Sequence, residues 1–129
     1  MKRMFLLFSH KLTASQEADA KKNLRVEEFV YLNEKLQKVW SNVPPNIKDN
    51  DLKEYLNPIK EYLRENIRVN DIVLVQGDFG ATCYMVRVVK ELGGVAVYAT
   101  TKRDVLEIKV GDKIEKKSIF EHVMFRKYF

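Results

Sequence analysis

Three short polar segments carry the residue types that phosphoryl chemistry needs. Ser9-His10-Lys11 offers a hydroxyl, an imidazole and an ammonium group. Gln76-Gly77-Asp78-Phe79-Gly80-Ala81-Thr82 is a glycine-bracketed turn, and Thr100-Thr101-Lys102-Arg103 offers two hydroxyls and two cations. A turn that leads from a strand into a helix points unsatisfied backbone N–H groups outward, where they suit an anion. Cations and hydroxyls beside them would neutralise the charge that grows on a phosphodiester in its transition state. An imidazole exchanges protons near neutral pH, which makes His10 a candidate general acid or base.

Each of these residues also has a plainer use. Ser9 or Thr13 could cap the helix that follows, as such residues usually do. Gly77 and Gly80 could serve turn geometry alone, and Lys102-Arg103 could be a solvated loop pair. Gly77-x-x-Gly80 lacks the third glycine of the dinucleotide fingerprint, and no Walker lysine follows it. Asp78-Phe79-Gly80 copies a kinase triplet without the other kinase signatures. His122 is read as structural. Two distant histidines and one cysteine do not make a zinc site, and the spacing of Asp78 and Asp104 gives no support for magnesium. No metal or cofactor is expected.

The elements that must position these segments are legible from periodicity. Met4 to Phe8 is a continuous apolar run, as expected of a strand covered on both faces. Thr13-Ala14-Ser15-Gln16 matches a capping box and opens a helix to about Leu24. Glu27 to Leu32 reads as a second strand and Asn33 to Trp40 as a short helix, ended by Val43-Pro44-Pro45. Leu52, Tyr55, Leu56, Ile59, Leu63 and Ile67 recur at helical spacing, with a break or kink expected at Asn57-Pro58. Ile72 to Val75 is a third buried strand. The helix behind it carries Ala81, Tyr84, Met85, Val88, Val89 and Leu92 on one face and ends at Gly93. Val95 to Ala99 is a fourth strand. This alternation predicts a parallel α/β sheet with helices on both faces. In the tail, Leu106, Ile108 and Val110 alternate, Gly111-Asp112 turns, and Ile114 to Phe129 continues with strand-like composition. The expected organisation is a single domain over 1–129, with a core over 1–103 and an appended β-hairpin or meander over 104–129. Ligands of open α/β sheets sit outside the carboxyl ends of the strands, and all three polar segments follow predicted strands.

Bulk properties narrow the class. A chain of 129 residues is one domain's worth and can bury a real core. A formal charge of +5 fits a protein that meets nucleotides or other anions, and fits simple solubility equally well. The lone Cys83 excludes a disulfide framework and, beside Tyr84 and Met85, reads as a small buried hydrophobe. The opening Met1-Lys2-Arg3-Met4-Phe5-Leu6-Leu7-Phe8 starts like a signal peptide, but its apolar run is too short and no small-residue cleavage site follows. No stretch is long enough to cross a bilayer, so the cytoplasm is the expected location.

Phe5 to Thr13, Val75 to Thr82 and Tyr98 to Arg103 together resemble the small stand-alone CRISPR-associated proteins of the Csx group. The resemblance implies a ring nuclease with a CARF-like Rossmann fold, one that linearises the cyclic oligoadenylate second messenger of type III CRISPR systems and so switches off its signal. It implies metal-independent cleavage in which a ribose 2′-OH attacks the neighbouring phosphate, and a homodimer with the ligand across its two-fold axis, for which Trp40 and the aromatic tail (Phe120, Phe125, Tyr128, Phe129) could supply apolar interface. Duplex nucleic acid and membranes are not expected partners. Ser9 and Lys102 occupy the places of the hydroxyl and lysine that matter in larger CARF ring nucleases. On this reading Ser9, His10 and Lys102 are the catalytic candidates. Lys11, Gln76, Gly77, Asp78, Phe79, Gly80, Ala81, Thr82, Thr100, Thr101 and Arg103 would bind the substrate. A sponge or sensor that holds the ring without cutting it would use the same binding residues, and a flavodoxin-like domain that binds another phosphate is a further alternative.

Overall fold

The computed structural model describes residues 1–129. Five strands, β1 (Arg3–Leu7), β2 (Glu28–Tyr31), β3 (Ile72–Val75), β4 (Val95–Val110) and β5 (Lys113–Lys127), form one sheet in the order β2-β1-β3-β4-β5. The first four run parallel and β5 runs antiparallel to β4. Met4 to Leu7 and Ile72 to Val75 are buried throughout, which is why their sequences are unbroken apolar runs.

Four helices flank the sheet: α1 (Ala14–Asn23), α2 (Glu34–Ser41), α3 (Asp49–Asn66) and α4 (Phe79–Glu91). From β1 the chain crosses to β2 on one side, then returns past β1 to β3 and on to β4. Right-handed crossovers in opposite directions put their helices on opposite faces. Accordingly α1 packs one face with Met4, Leu6, Leu74 and Val97, while α2, α3 and α4 share the other with Phe5, Leu7, Val73 and Val75. At the amino-terminal edge, Arg3 Nη2 meets Asp71 Oδ2 at 2.6 Å and ties β1 to the start of β3. No helix is long and apolar enough to cross a membrane.

Local signals act as their chemistry dictates. Thr13 and Gln16 form the reciprocal capping box of α1, Asn33 caps α2 by accepting from Leu36 N, and Gly93 takes φ +83° after α4.

Four expectations need correction. The helix does not break at Asn57-Pro58: α3 runs through Pro58, and burial of Leu56, Ile59 and Leu63 on one face holds the turn that proline weakens. Cys83 is exposed, because it lies off the apolar stripe that Ala81, Met85 and Val88 turn toward the sheet. Trp40 is core, only 2% exposed, not apolar surface for an interface.

The fourth correction is that β4 does not stop at Ala99. It continues to Val110, so the hairpin belongs to the sheet from its root and does not begin at 104. Met124 pairs with Thr100 and His122 with Thr101, which leaves Val123 as the extra residue of a bulge. Beyond the bulge a two-stranded ribbon leaves the domain, and every residue from 101 to 121 is exposed. His122 pins its root to the body: Nε2 lies 2.7 Å from Asp19 Oδ2 on α1, its ring packs on Phe125, and its side chain is 4% exposed.

Candidate functional site

The strand order reverses between β1 and β3, and the carboxyl ends at such a reversal are where open α/β sheets take their ligands. Ser9-His10-Lys11 leaves β1 at this edge, and Gln76 to Gly80 leaves β3 beside it. On the far side of β3, β4 carries Thr100 to Arg103 past the same edge. The sheet order thus sets the first two polar segments side by side, with Thr100 to Arg103 running on beyond them along β4.

Helix α2 braces that rim through two side chains. Gln37 Nε2 donates to the carbonyl of Phe8 at 2.8 Å, and Trp40 Nε1 donates to the carbonyl of Gln76 at 3.1 Å. The ends of β1 and β3 are therefore held by the same helix. Gly77 has no side chain because Trp40 leaves no room: a Cβ there would lie 2.9 Å from Cζ2 and 3.0 Å from both Cε2 and Nε1. A Cβ at Gly80 would meet Leu52 Cδ2 at 3.2 Å. Neither glycine takes a positive φ, so close approach and not backbone handedness explains them.

Gln76 closes the gap between β3 and β4. Its Oε1 accepts from Ala99 N at 2.7 Å, which leaves the amide NH2 without a partner. Asp78 is the N-cap of α4 and accepts from Ala81 N at 3.0 Å. Thr82 N donates to the Asp78 carbonyl at 2.8 Å. The amides of Ala81 and Thr82 are thus already used, and those of Gly77, Asp78, Phe79 and Gly80 are the ones without a helical partner. The carboxylate of Asp78 places a negative charge at that helix end, where it complements the dipole and opposes an incoming anion.

The remaining candidates separate by engagement. The Thr100 hydroxyl exchanges hydrogen bonds with the Met124 backbone, 3.1 Å to O and 3.2 Å from N, and so serves the bulge. Arg103 donates to Ser118 Oγ across the ribbon. Strand alternation puts Thr101 and Arg103 on the α1 face, opposite Lys102. Lys102 is exposed and makes no hydrogen bond or ion pair. Ser9 and Lys11 are exposed as well, and His10 makes only an edge contact with Phe8, centroids 5.5 Å apart. Ser9 does not cap α1; Thr13 does. No group of three or more His, Cys, Asp or Glu side chains is placed to hold a metal ion.

Tyr128, Gln37 and Trp40 were not singled out for this rim by sequence reasoning. Tyr128 donates from its hydroxyl to the carbonyl of Val75 at 2.6 Å and packs its ring on Tyr98 at 4.8 Å. Burial, and then the neighbouring Tyr98, push its phenol above the usual value. Gln37 lies off the apolar stripe of a helix, and Tyr128 lies in a tail whose return to the core depends on the length of the hairpin, so no local signal marked either.

The family described as "Uncharacterized protein MJ1673 family" matches residues 2–126, and the chain belongs to it. A relative from Methanocaldococcus jannaschii, Uncharacterized protein MJ1673, is 51% identical over 128 residues, covering 99% of this chain and 98% of the relative. No solved structure matches the chain.

Proposed function

We propose that this member of the MJ1673 family is a ring nuclease, which binds cyclic oligoadenylate, most readily the tetra-adenylate, and linearises it without a metal. The observation that carries the reading is that Ser9-His10-Lys11 and the Gln76–Gly80 turn leave neighbouring strands at the β1/β3 reversal, with Lys102 farther along β4 on the next strand. The order β2-β1-β3-β4 with helices on both faces is compatible with a CARF-like Rossmann domain, and it is shared with flavodoxin-like sheets. In the proposed reaction the ribose 2′-OH attacks the adjacent phosphate and the 5′-oxygen leaves, giving a 2′,3′-cyclic phosphate. Free amides from Gly77 to Gly80 hold phosphate oxygens, and Lys102 stabilises the charge of the five-coordinate phosphorus. Ser9 orients the attacking hydroxyl, and His10 moves the proton from it or to the leaving oxygen. Holding that hydroxyl in line with the scissile bond supplies several kcal/mol by itself.

A ligand with two-fold symmetry calls for a homodimer. The ribbon supports one: a two-stranded ribbon is marginal alone, and this one exposes Val105, Leu106, Ile108, Ile114, Ile119 and Phe120 with nothing covering them. A second reading, a sponge that holds the ring intact, is favoured by one observation: Ser9, His10 and Lys102 make no hydrogen bond with one another. Incubation of the purified protein with cyclic tetra-adenylate and hexa-adenylate in EDTA, with products resolved by liquid chromatography and mass spectrometry, separates the two. Linear products ending in a cyclic phosphate support the nuclease. An intact ring that co-elutes with the protein supports the sponge, and no binding of either ring removes both.

A further inference from the structure

Beside the glycine turn lies a hollow of about 330 Å³ lined by Gln76, Gly77, Phe79, Thr82 and Tyr128. It adjoins a second hollow of about 360 Å³ where Phe79, Thr82 and Tyr128 are joined by Cys83, Val86 and Phe129. Such a volume is at the small end of ligand pockets and suits one ring system. Its two aromatic side chains differ in a telling way. Tyr128 is fixed, its hydroxyl bonded to the Val75 carbonyl and its ring set against Tyr98, which in turn lies under the Arg126 guanidinium at 5.6 Å. Phe79 is 95% exposed and contributes nothing to the core. It also stands at the first position of α4, where apolar bulk serves no capping purpose.

The polar groups of the hollow are few and uncommitted. Ala99 N–H fixes the Gln76 amide so that its oxygen is used and its NH2 is spare. Thr82 Oγ1 is shielded from solvent and has no hydrogen-bond partner. Aromatic walls with one spare donor and one spare hydroxyl suit a flat heterocycle that has ring-nitrogen acceptors at its edge.

We propose that Phe79 and Tyr128 form the walls of a nucleobase subsite. Tyr128 is the fixed platform, Phe79 closes over the base, and the Gln76 NH2 donates to a ring nitrogen of a purine. The free amides at Gly77 and Asp78 then lie beside the attached phosphate. The inference rests on the reading that this rim takes an adenylate, and it locates the base where that reading located only phosphate.

The test compares adenosine 5′-monophosphate with ribose 5-phosphate on the full chain, using titrations followed by amide chemical shifts so that millimolar affinities are readable. The wild-type chain is expected to bind the base-bearing compound more tightly, with shifts at Gln76, Phe79 and Tyr128. Phe79→Ala should weaken it roughly 10- to 100-fold, the range for loss of one base-stacking aromatic, without changing ribose 5-phosphate binding. Phe79→Trp should restore the preference. Equal affinity for the two compounds, no binding at millimolar concentration, or a preference that survives in Phe79→Ala would overturn the subsite. A Phe79-dependent preference in a protein that neither binds nor cuts cyclic oligoadenylate would uphold the subsite and remove the ring-nuclease reading.

Discussion

Gly77→Ala tests the claim that the turn is shaped by what lies beneath it. The added Cβ would sit 2.9–3.0 Å from three atoms of the Trp40 indole, closer than real Cβ atoms come. Trp40 is 2% exposed and held by its bond to the Gln76 carbonyl, so it has nowhere to swing. Forcing a methyl into a packed site costs about 1–3 kcal/mol. The φ of Gly77 suits an L residue, so restricting the unfolded chain returns about 0.4–1 kcal/mol. The net expectation is a loss of about 1–2 kcal/mol, or roughly 3–10 °C in Tm for a domain of this size. Thermal melts by circular dichroism give the magnitude. Trp40 is the sole tryptophan, so its emission reports displacement at the site itself. A double-mutant cycle isolates the cause: in a Trp40→Phe background the indole atoms that clash are gone, and Gly77→Ala should cost much less there. Unchanged Tm and emission in Gly77→Ala, or the same cost in both backgrounds, would refute the argument.

The capping role of Asp78 predicts that Asp78→Ala loses about 1 kcal/mol in chemical denaturation, while Asp78→Asn, also a good cap, loses little. The same Asp78→Asn change removes a negative charge from the anion edge and should tighten phosphate-ligand binding several-fold in a titration at low salt; weaker binding would show that the carboxylate itself contacts the ligand. Lys102→Ala should abolish most ring cleavage while shifting stability by less than about 0.5 kcal/mol, since the side chain is exposed and unpaired; a large fall in Tm would mean that the residue is structural. At Asp19, burial favours the neutral acid, but hydrogen bonds from Asn23 and His122 and the His122 charge outweigh it and hold the carboxyl below its usual value. A depressed carboxyl stabilises the fold above its unfolded pKa, and that stabilisation is lost as pH falls through the folded value. Denaturant titrations from neutral pH into the acid range should therefore show an Asp19-dependent loss below the ordinary carboxylate range, absent in Asp19→Asn.

Whatever is settled within about one turn or one strand can be read from the residues alone. The capping box of Thr13 and Gln16, the unbroken apolar runs of β1 and β3, the stripe on α4 and the turn at Gly111 are all local, because propensity, capping and periodicity are read over a few residues. The neighbouring exits of Ser9-His10-Lys11 and the Gln76–Gly80 turn were also legible, since adjacent parallel strands end on the same side of the sheet. Long-range packing decided the rest. Local rules break or kink a helix at Pro58, yet α3 runs unbroken through it with three buried side chains on one face. Exposed apolar residues in the tail read as an independent hairpin, yet β4 is a single strand shared by the core and the ribbon. Gly77 reads as a turn residue, and its need for hydrogen in place of a side chain comes from an indole 37 positions earlier in the chain, aimed at it by a different helix. Contacts between distant segments leave no periodic trace, so only the folded chain can show which side chains they join.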